Sequence, residues 1–261
     1  NDGTGKMQLL NGNDTAALLV HYILNAYKTN GTLPANGFTA ATVVTTDLIA
    51  DISAAYGVPC YRCLTGFKWI ADIINHKPAE QFLVGGEESY GYLIGDDVRD
   101  KDAVASAVMI AEMAANAKAQ GRTVLEQLEA IHREFGQYQE RLISITKKGR
   151  SGAQEIADMM TALRNDPPKT LAGSPVIVAI DHSNSTQTDL RTGATSSTEL
   201  PGSNVLQFIT EAGDKVSARP SGTEPKIKFY FSVRTTTGDS HTATKAELER
   251  KIDTFIEELN L

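Results

Sequence analysis

The run Arg219-Pro220-Ser221-Gly222-Thr223-Glu224-Pro225-Lys226 sits between two apolar-patterned stretches, and it restricts the fold more than any other feature. After it, Ile227, Phe229, Phe231 and Val233 alternate with Lys228, Tyr230 and Ser232, the period-two pattern of a strand with one buried face. Val216 and Ala218 lead in from the other side. The segment therefore reads as a tight polar loop joining two strands. Its chemistry suits an oxyanion. Arg219 offers a planar fork that matches phosphate oxygens, and Lys226 adds a point charge. Ser221, Gly222 and Thr223 can aim successive backbone N–H groups into one concavity. Pro220 and Pro225 fix their own φ angles and lower the entropy cost of ordering the loop. A solvated hairpin with incidental charges is the alternative, but a two-strand hairpin rarely needs this many donors.

A second loop, Gly85-Gly86-Glu87-Glu88-Ser89-Tyr90-Gly91, follows the apolar run Phe82-Leu83-Val84. Glycines on both sides let the backbone turn sharply and approach a ligand. Carboxylates accept hydrogen bonds from sugar hydroxyls, so two of them beside a serine suit a polyhydroxylated ligand. In extended backbone Glu87 and Ser89 share one face and Glu88 takes the other. Adjacent carboxylates on opposite faces do not give the separation that a glycosidase acid–base pair needs. A solvated acidic turn is the plain alternative.

Together the two loops resemble those of the α-D-phosphohexomutases, the family that includes phosphoglucomutase and phosphomannomutase. Members carry a sugar-binding Gly-Glu-x-Ser loop in their third domain and an Arg-x-Ser-Gly-Thr phosphate loop in their fourth. Here these are Gly86-Glu87-Glu88-Ser89 and Arg219-Pro220-Ser221-Gly222-Thr223. The resemblance implies that Glu87 and Ser89 contact sugar hydroxyls. It implies that Arg219, Ser221, Gly222 and Thr223, with Lys226 beside them, hold the non-reacting phosphate. Thr65-Gly66-Phe67-Lys68 is similar to the family's Thr-Gly-aromatic-Lys turn, which puts Thr65 and Gly66 at the sugar. Arg99-Asp100-Lys101-Asp102 is similar to the Arg-Glu-Lys-Asp segment whose lysine lies near the reacting groups, so Lys101 is a candidate acid–base group or charge stabiliser. A helix-start surface lysine is the equal alternative for Lys101. A Gly-Glu-Glu-Ser run followed by an aromatic residue resembles phosphoglucomutases and the related phosphopentomutases more than phosphomannomutases.

The family's chemistry also requires a phosphoserine in a Thr-Ala-Ser-His-Asn-Pro-like loop and Mg2+ in an Asp-x-Asp-x-Asp-Arg loop, and neither pattern occurs here. Ser240-His241 lies in a polar segment with no Asn-Pro after it, and Asn1-Asp2-Gly3-Thr4-Gly5 reads as a turn cut from something larger. The resemblance thus implies the C-terminal half of a mutase, with sugar phosphate and the missing N-terminal domains of the same polypeptide as partners. No cofactor is expected in this chain. Mg2+ and glucose 1,6-bisphosphate are expected for the full-length parent. The rival from another class is a non-catalytic sugar-phosphate-binding module.

At 261 residues the chain is long enough for two cores. A net charge of −7 argues against nucleic acid, so the basic loop acts locally. No apolar run is long enough for a transmembrane helix, so no membrane partner is expected. Cys60 and Cys63 form a lone Cys-x-x-Cys among scattered histidines, which reads as packed thiols rather than a metal or redox site; reduced thiols imply a cytoplasmic location. The first half alternates strand and helix: a helix capped by Asn13 or Asp14, strands at 42–46, 60–64 and 82–85, and helices at 47–56, 67–75, 102–119 and 124–135. This is a layered α/β/α domain over 1–136, whose ligands belong beyond the carboxyl ends of its strands. Residues 137–261 read as a smaller α+β domain with helices packed on an antiparallel sheet. Its strands lie near 141–146, 176–180, 205–210, 215–219 and 227–233, its helices at 151–164 and 243–259, and a long connection with room for one short strand at 181–203. Lys147, Lys148 and Arg150 read as a solvated basic cluster.

Overall fold

Three parallel strands hold the centre of the first half: β1 (Gly37–Thr42), β2 (Cys60–Cys63) and β3 (Gln81–Glu87). With β4 (Gly91–Ile94) added antiparallel, the sheet order is β2-β1-β3-β4. The computed structural model describes residues 4–147, 149, 151–235 and 241–261. The expectations placed on Asn1 to Gly3, Lys148, Arg150 and Ser240 lie outside the described residues. The chain folds as two compact units, Asn1–Gly136 and Gln137–Leu261.

In the first unit, every residue of β1 is buried, as a strand covered on both faces requires. Five helices complete it: α1 (Gly12–Thr29), α2 (Leu48–Ala55), α3 (Phe67–His76), α4 (Ala103–Ala119) and α5 (Val124–Phe135). Helix α3 buries Phe67, Ile70 and Ile74 against Phe38, Ala40 and Phe82. Helix α1 packs against β3, α2 and α5. A capping box starts α5: the Thr123 hydroxyl accepts from Glu126 N–H, and the Glu126 carboxylate accepts from Thr123 N–H.

Several boundaries differ from the sequence expectation. The strand expected at 42–46 ends at Thr42, and residues 43–46 form the turn into α2. The small residues of Gly37–Thr42 give little local sign of a central strand, which is defined by its pairing on both sides. The cap of α1 is Asn11, whose Oδ1 accepts from Asp14 N–H at 2.8 Å; Asn13 instead accepts from Thr46 N–H at 2.9 Å. The loop expected at 85–91 is mostly strand. Gly85, Gly86 and Glu87 pair with Leu93, Tyr92 and Gly91, leaving only residues 88–90 as the turn.

The second unit contains β5 (Gln137–Thr146), α6 (Gly152–Asn165), β6 (Thr170–Leu171), β7 (Ser174–Asp181), β8 (Thr186–Asp189) and β9 (Thr195–Ser197). It continues through β10 (Leu206–Thr210), β11 (Lys215–Pro220), β12 (Lys226–Thr235) and α7 (His241–Glu258). The antiparallel sheet runs β5-β12-β11-β10-β7-β8-β9, with β6 paired to β7 off that path. The connection expected at 181–203 therefore holds two strands. Their polar sequence lacks an apolar face, so only the pairing of β8 to β7 and of β9 to β8 reveals them. Ile156 and Met160 from α6, and Leu248, Ile252 and Phe255 from α7, meet Val216, Ala218, Ile227, Phe229, Phe231 and Val233 in one core. That is the expected α+β arrangement. Helix α7 is tied to the sheet by Arg141, which reaches Glu249 and Asp253, and by Lys251, whose Nζ lies 2.6 Å from the buried carboxylate of Asp214.

Candidate functional site

The carboxyl ends of β1, β2 and β3 gather the polar residues of the first unit. Glu87, the last residue of β3, accepts a hydrogen bond from Gly66 N–H at 2.7 Å. Gly66 precedes the first turn of α3 with φ 111°, a left-handed value that side chains disfavour, so glycine is required to aim that N–H at the carboxylate. The sugar-loop residue and the Thr65-Gly66 turn, 21 positions apart in sequence, are thus one structure. A carboxylate at an N–H of a helix start is favoured by the helix dipole as well.

Glu88 points the other way, as the alternation of an extended chain predicts. Its Oε2 lies 3.5 Å from the Thr42 hydroxyl and 3.4 Å from that of Thr45, and the two buried hydroxyls are 2.8 Å apart. The turn also rests on α1. A side chain at Gly12 would collide with the Glu88 carbonyl, so glycine there is a condition of the close approach. Tyr90 donates to Leu10 O at 3.2 Å and Tyr92 to Gly12 O at 2.8 Å. Burial raises the Tyr92 phenol well above its ordinary range, which keeps it a donor. Ser89 is exposed at the tip, and its side chain has no partner among the described residues.

Arg62 on β2 organises the neighbouring turn. Its guanidinium lies 3.0 Å from the Asp47 carboxylate and donates to Thr45 O at 2.7 Å. The family motifs leave out Thr42, Thr45, Asp47 and Arg62. A run of threonines before an aspartate, just ahead of an apolar helix, is their only trace in the sequence. Lys101 reaches the same region. Its Cδ lies 3.3 Å, and the Glu87 carboxylate 3.6 Å, from the point where a Cβ on Gly91 would sit. Its ammonium pairs with Asp100 at 3.1 Å and stands 5.9 Å from the centre of the Phe67 ring. Cys63 lies under this surface. Burial pushes its thiol up to about 12, opposed by Arg62 and helped by the nearby Glu87 and Cys60. A thiol so held is neither a nucleophile nor a metal ligand at neutral pH.

In the second unit, Arg219 and Pro220 end β11 and Lys226 opens β12. The register Arg219↔Lys228 and Pro220↔Ile227 closes the hairpin around residues 221–225. The expected row of free N–H groups is not what the loop presents. Ser221 N–H donates to Lys226 O at 2.7 Å, Thr223 N–H donates to the Ser221 hydroxyl at 3.3 Å, and only Gly222 N–H of these three has no partner among the described residues. The loop uses two of these donors to hold its own shape, which leaves Gly222 N–H and the side chains open. Arg219 is half-buried, and its side chain has no hydrogen bond or ion pair with any described residue. A half-buried guanidinium with no acceptor among the described residues is a group open to an anion. A cavity of about 410 Å³ lies under the loop, floored by Ile156 and Met160 and edged by Pro220 and Thr223. Arg219 does not line it, because Ala218 faces the core and strand alternation turns Arg219 to the opposite side.

Among the described residues no group of three or more His, Cys, Asp or Glu side chains could hold a metal ion. None of the described helices is long and apolar enough to cross a membrane.

A family profile described as phosphoglucomutase/phosphomannomutase, alpha/beta/alpha domain III, matches residues 11–135. A phosphoglucomutase of Staphylococcus epidermidis is 37% identical over 233 residues, which is 89% of this chain and 42% of that protein. A probable phosphomannomutase of Haemophilus influenzae is 37% identical over 235 residues, again 89% and 42%. The chain thus spans less than half the length of these relatives. Among solved structures, the phosphoglucomutase parafusin of Paramecium superposes with a TM-score of 0.64 at 18% identity, covering 97% of this chain and 42% of that one. At that identity the likeness speaks for the fold alone. The comparisons identify residues 11–135 as domain III of the phosphoglucomutase/phosphomannomutase family, and the chain as a relative of proteins bearing those names over 89% of its length.

Proposed function

We propose that this chain is the substrate-recognising half of a phosphohexomutase that interconverts a sugar 1-phosphate and 6-phosphate, with glucose as the preferred sugar. The observation that carries the reading is Arg219: half-buried, its side chain without a partner among the described residues, at the root of a Ser-Gly-Thr hairpin. It holds the phosphate that is not reacting, with the Ser221 and Thr223 hydroxyls, Gly222 N–H and Lys226 around it. In the first unit Glu87 and Ser89 read sugar hydroxyls, and Thr65-Gly66 backs them. Lys101 supplies positive charge beside the sugar. Phosphoryl transfer needs positioning and charge neutralisation more than covalent help, and these groups offer both. The preference for glucose rests on the Gly-Glu-Glu-Ser run with Tyr90 behind it, since relatives of equal identity carry both the glucose and the mannose name.

The reaction also needs a phosphoserine donor and Mg2+, which in the proposed enzyme act through residues outside this chain, together with glucose 1,6-bisphosphate. The proposed setting is a cytoplasmic enzyme. Calorimetric titration of the chain with inorganic phosphate tests the reading. Arg219→Ala should weaken binding by about 1.5–3 kcal/mol, the worth of a hydrogen bond to a charged group. Unchanged affinity in the variant, or conversion of glucose 1-phosphate by the chain alone when bisphosphate and Mg2+ are added, overturns it.

A further inference from the structure

Helix α4 is apolar on two sides. Ser106, Met113 and Ala117 turn inward and are buried. Ala103, Val104, Ala107, Val108, Ala111 and Ala115 recur at the spacing of one helical stripe on the outside, and all six are exposed. Val104 is 76% and Val108 62% open. From Ala103 to Ala111 the helix carries no charge, and its one polar residue there, Ser106, donates to Asp102 O at 2.6 Å. The neighbouring α5 turns Glu126, Arg133 and Glu134 outward instead. A helix that is apolar all round is one that is covered all round, and α4 is covered on one side only among the described residues.

The start of α4 and the entry of the chain into this unit are fastened to the same strand. Tyr92 O on β4 accepts from Asp102 N–H at 2.8 Å, one residue before α4, while the Tyr92 phenol donates to Gly12 O at the start of α1. Tyr90, just before β4, donates to Leu10 O. Met7 and Leu9, which lead into α1, are 79% and 91% exposed. Among the described residues eight large apolar side chains are exposed, and six of them belong to this unit: Met7, Leu9, Tyr90, Val98, Val104 and Val108. They fall on the lead-in segment, the β3–β4 turn, the β4–α4 loop and the first two turns of α4. Exposed apolar surface is thus concentrated around β4, where the chain enters.

We propose that the outer face of α4 is a docking surface for the part of the polypeptide that precedes residue 1, and that the lead-in segment delivers that part onto it. This rests on reading the chain as half of a longer mutase. The chain spans 42% of its relatives, and the profile matched by residues 11–135 is that of a third domain, so the occupant is close at hand in the parent. The size of the face favours a tethered partner over a second copy. From Ala103 to Ala115 the stripe runs about 18 Å at ~1.5 Å per residue and, one helix wide, offers roughly 200 Å², against about 800 Å² per partner in a stable complex of free proteins. Domains of one chain hold together through smaller areas, because the tether keeps the partner at an effective concentration of about 1 mM.

Hydroxyl-radical labelling, read by mass spectrometry, tests the surface by comparing this chain with the full-length parent. Val104 and Val108 should be modified readily in the chain and should drop in the parent to the level of Leu24, which is buried. His76, exposed at the end of α3, sets the dose. This arm needs no variant. Val108→Asp gives a second arm. Valine and aspartate have similar helix propensities, so the variant should leave the urea midpoint of this chain unchanged and lower that of the parent. If both valines label equally in the two forms, or if the variant shifts both midpoints alike or neither, the preceding part does not dock here and the proposal is wrong. If this chain alone sediments as a dimer that Val108→Asp dissociates, the occupant is a second copy and the proposal is equally wrong. None of these outcomes touches phosphate binding at Arg219, whose own titration decides the proposed function.

Discussion

One carboxylate oxygen of Glu87 takes the Gly66 N–H, and the other, like the stem of Lys101, lies within 4 Å of where a Cβ on Gly91 would sit. The bond fixes where the second oxygen points, so in the proposed function one side chain both shapes the turn and reads the sugar. Glu87→Gln keeps an acceptor for Gly66 but loses the charge, whereas Glu87→Ala leaves a partly buried N–H without a partner. The alanine variant should lose about 1–3 kcal/mol of stability and the glutamine variant clearly less, measured by urea unfolding. Equal losses would mean that the hydrogen bond contributes nothing beyond the charge. Glu88 carries the complementary message. Its sequence neighbour Glu87 accepts from Gly66 N–H, while Glu88 is directed at two buried threonine hydroxyls. A pair of identical residues is split by strand alternation into one that meets the Gly66 turn and one that meets the Thr42 and Thr45 hydroxyls.

Among the elements, the packing of α1 against α2 and α5 holds a titratable group. His21 on α1 lies edge-on to Tyr56 and Phe135, with ring centres 6.0 and 6.3 Å away. Burial lowers its pKa from the ordinary 6.5, and the charge of Glu134 only partly offsets this. The folded state therefore prefers the neutral ring. Below about pH 6.5 the unfolded chain binds the proton more readily, so His21 takes stability away as the pH falls through that value. Urea midpoints should drop between pH 7.5 and pH 5, and His21→Gln should reduce the drop. An unchanged slope in the variant would assign the pH effect to other groups. The same burial logic explains Cys63. A Cys-x-x-Cys in a four-residue strand cannot turn both thiols to one side, and the buried one is protonated far above neutral pH.

The whole molecule consists of two units that each close their own core. Phe38, Ile70 and Phe82 anchor a cluster in the first, and Phe208, Phe229 and Phe255 anchor one in the second. No member of either cluster comes from the other unit. Residues 4–136 and 137–261, produced separately, should each unfold in one cooperative transition, seen as coincident curves by circular dichroism and tryptophan or tyrosine fluorescence. A fragment with helical signal but no cooperative transition would show that its core is incomplete. The boundary residue Gly136 has φ 97°, so the chain leaves α5 and enters β5 through a conformation suited to glycine.

The two loop motifs, the strand after Lys226 and the helices at 67–76, 103–119 and 124–135 were legible in the sequence because their signals are local. A donor-rich turn, a two-residue alternation and a capping residue act over a few positions. The tertiary structure alone decided that Asn11 caps α1, that β1 stops at Thr42, and that polar β8 and β9 are strands. It also decided that Glu87 closes on Gly66, that the 221–223 loop uses two of its N–H groups on itself, and that Lys228 faces Arg219. Each of these depends on a partner that chain folding brings across a ladder or a loop closure. Sequence shows which groups are available to bond, and only the register shows which of them remain for a ligand.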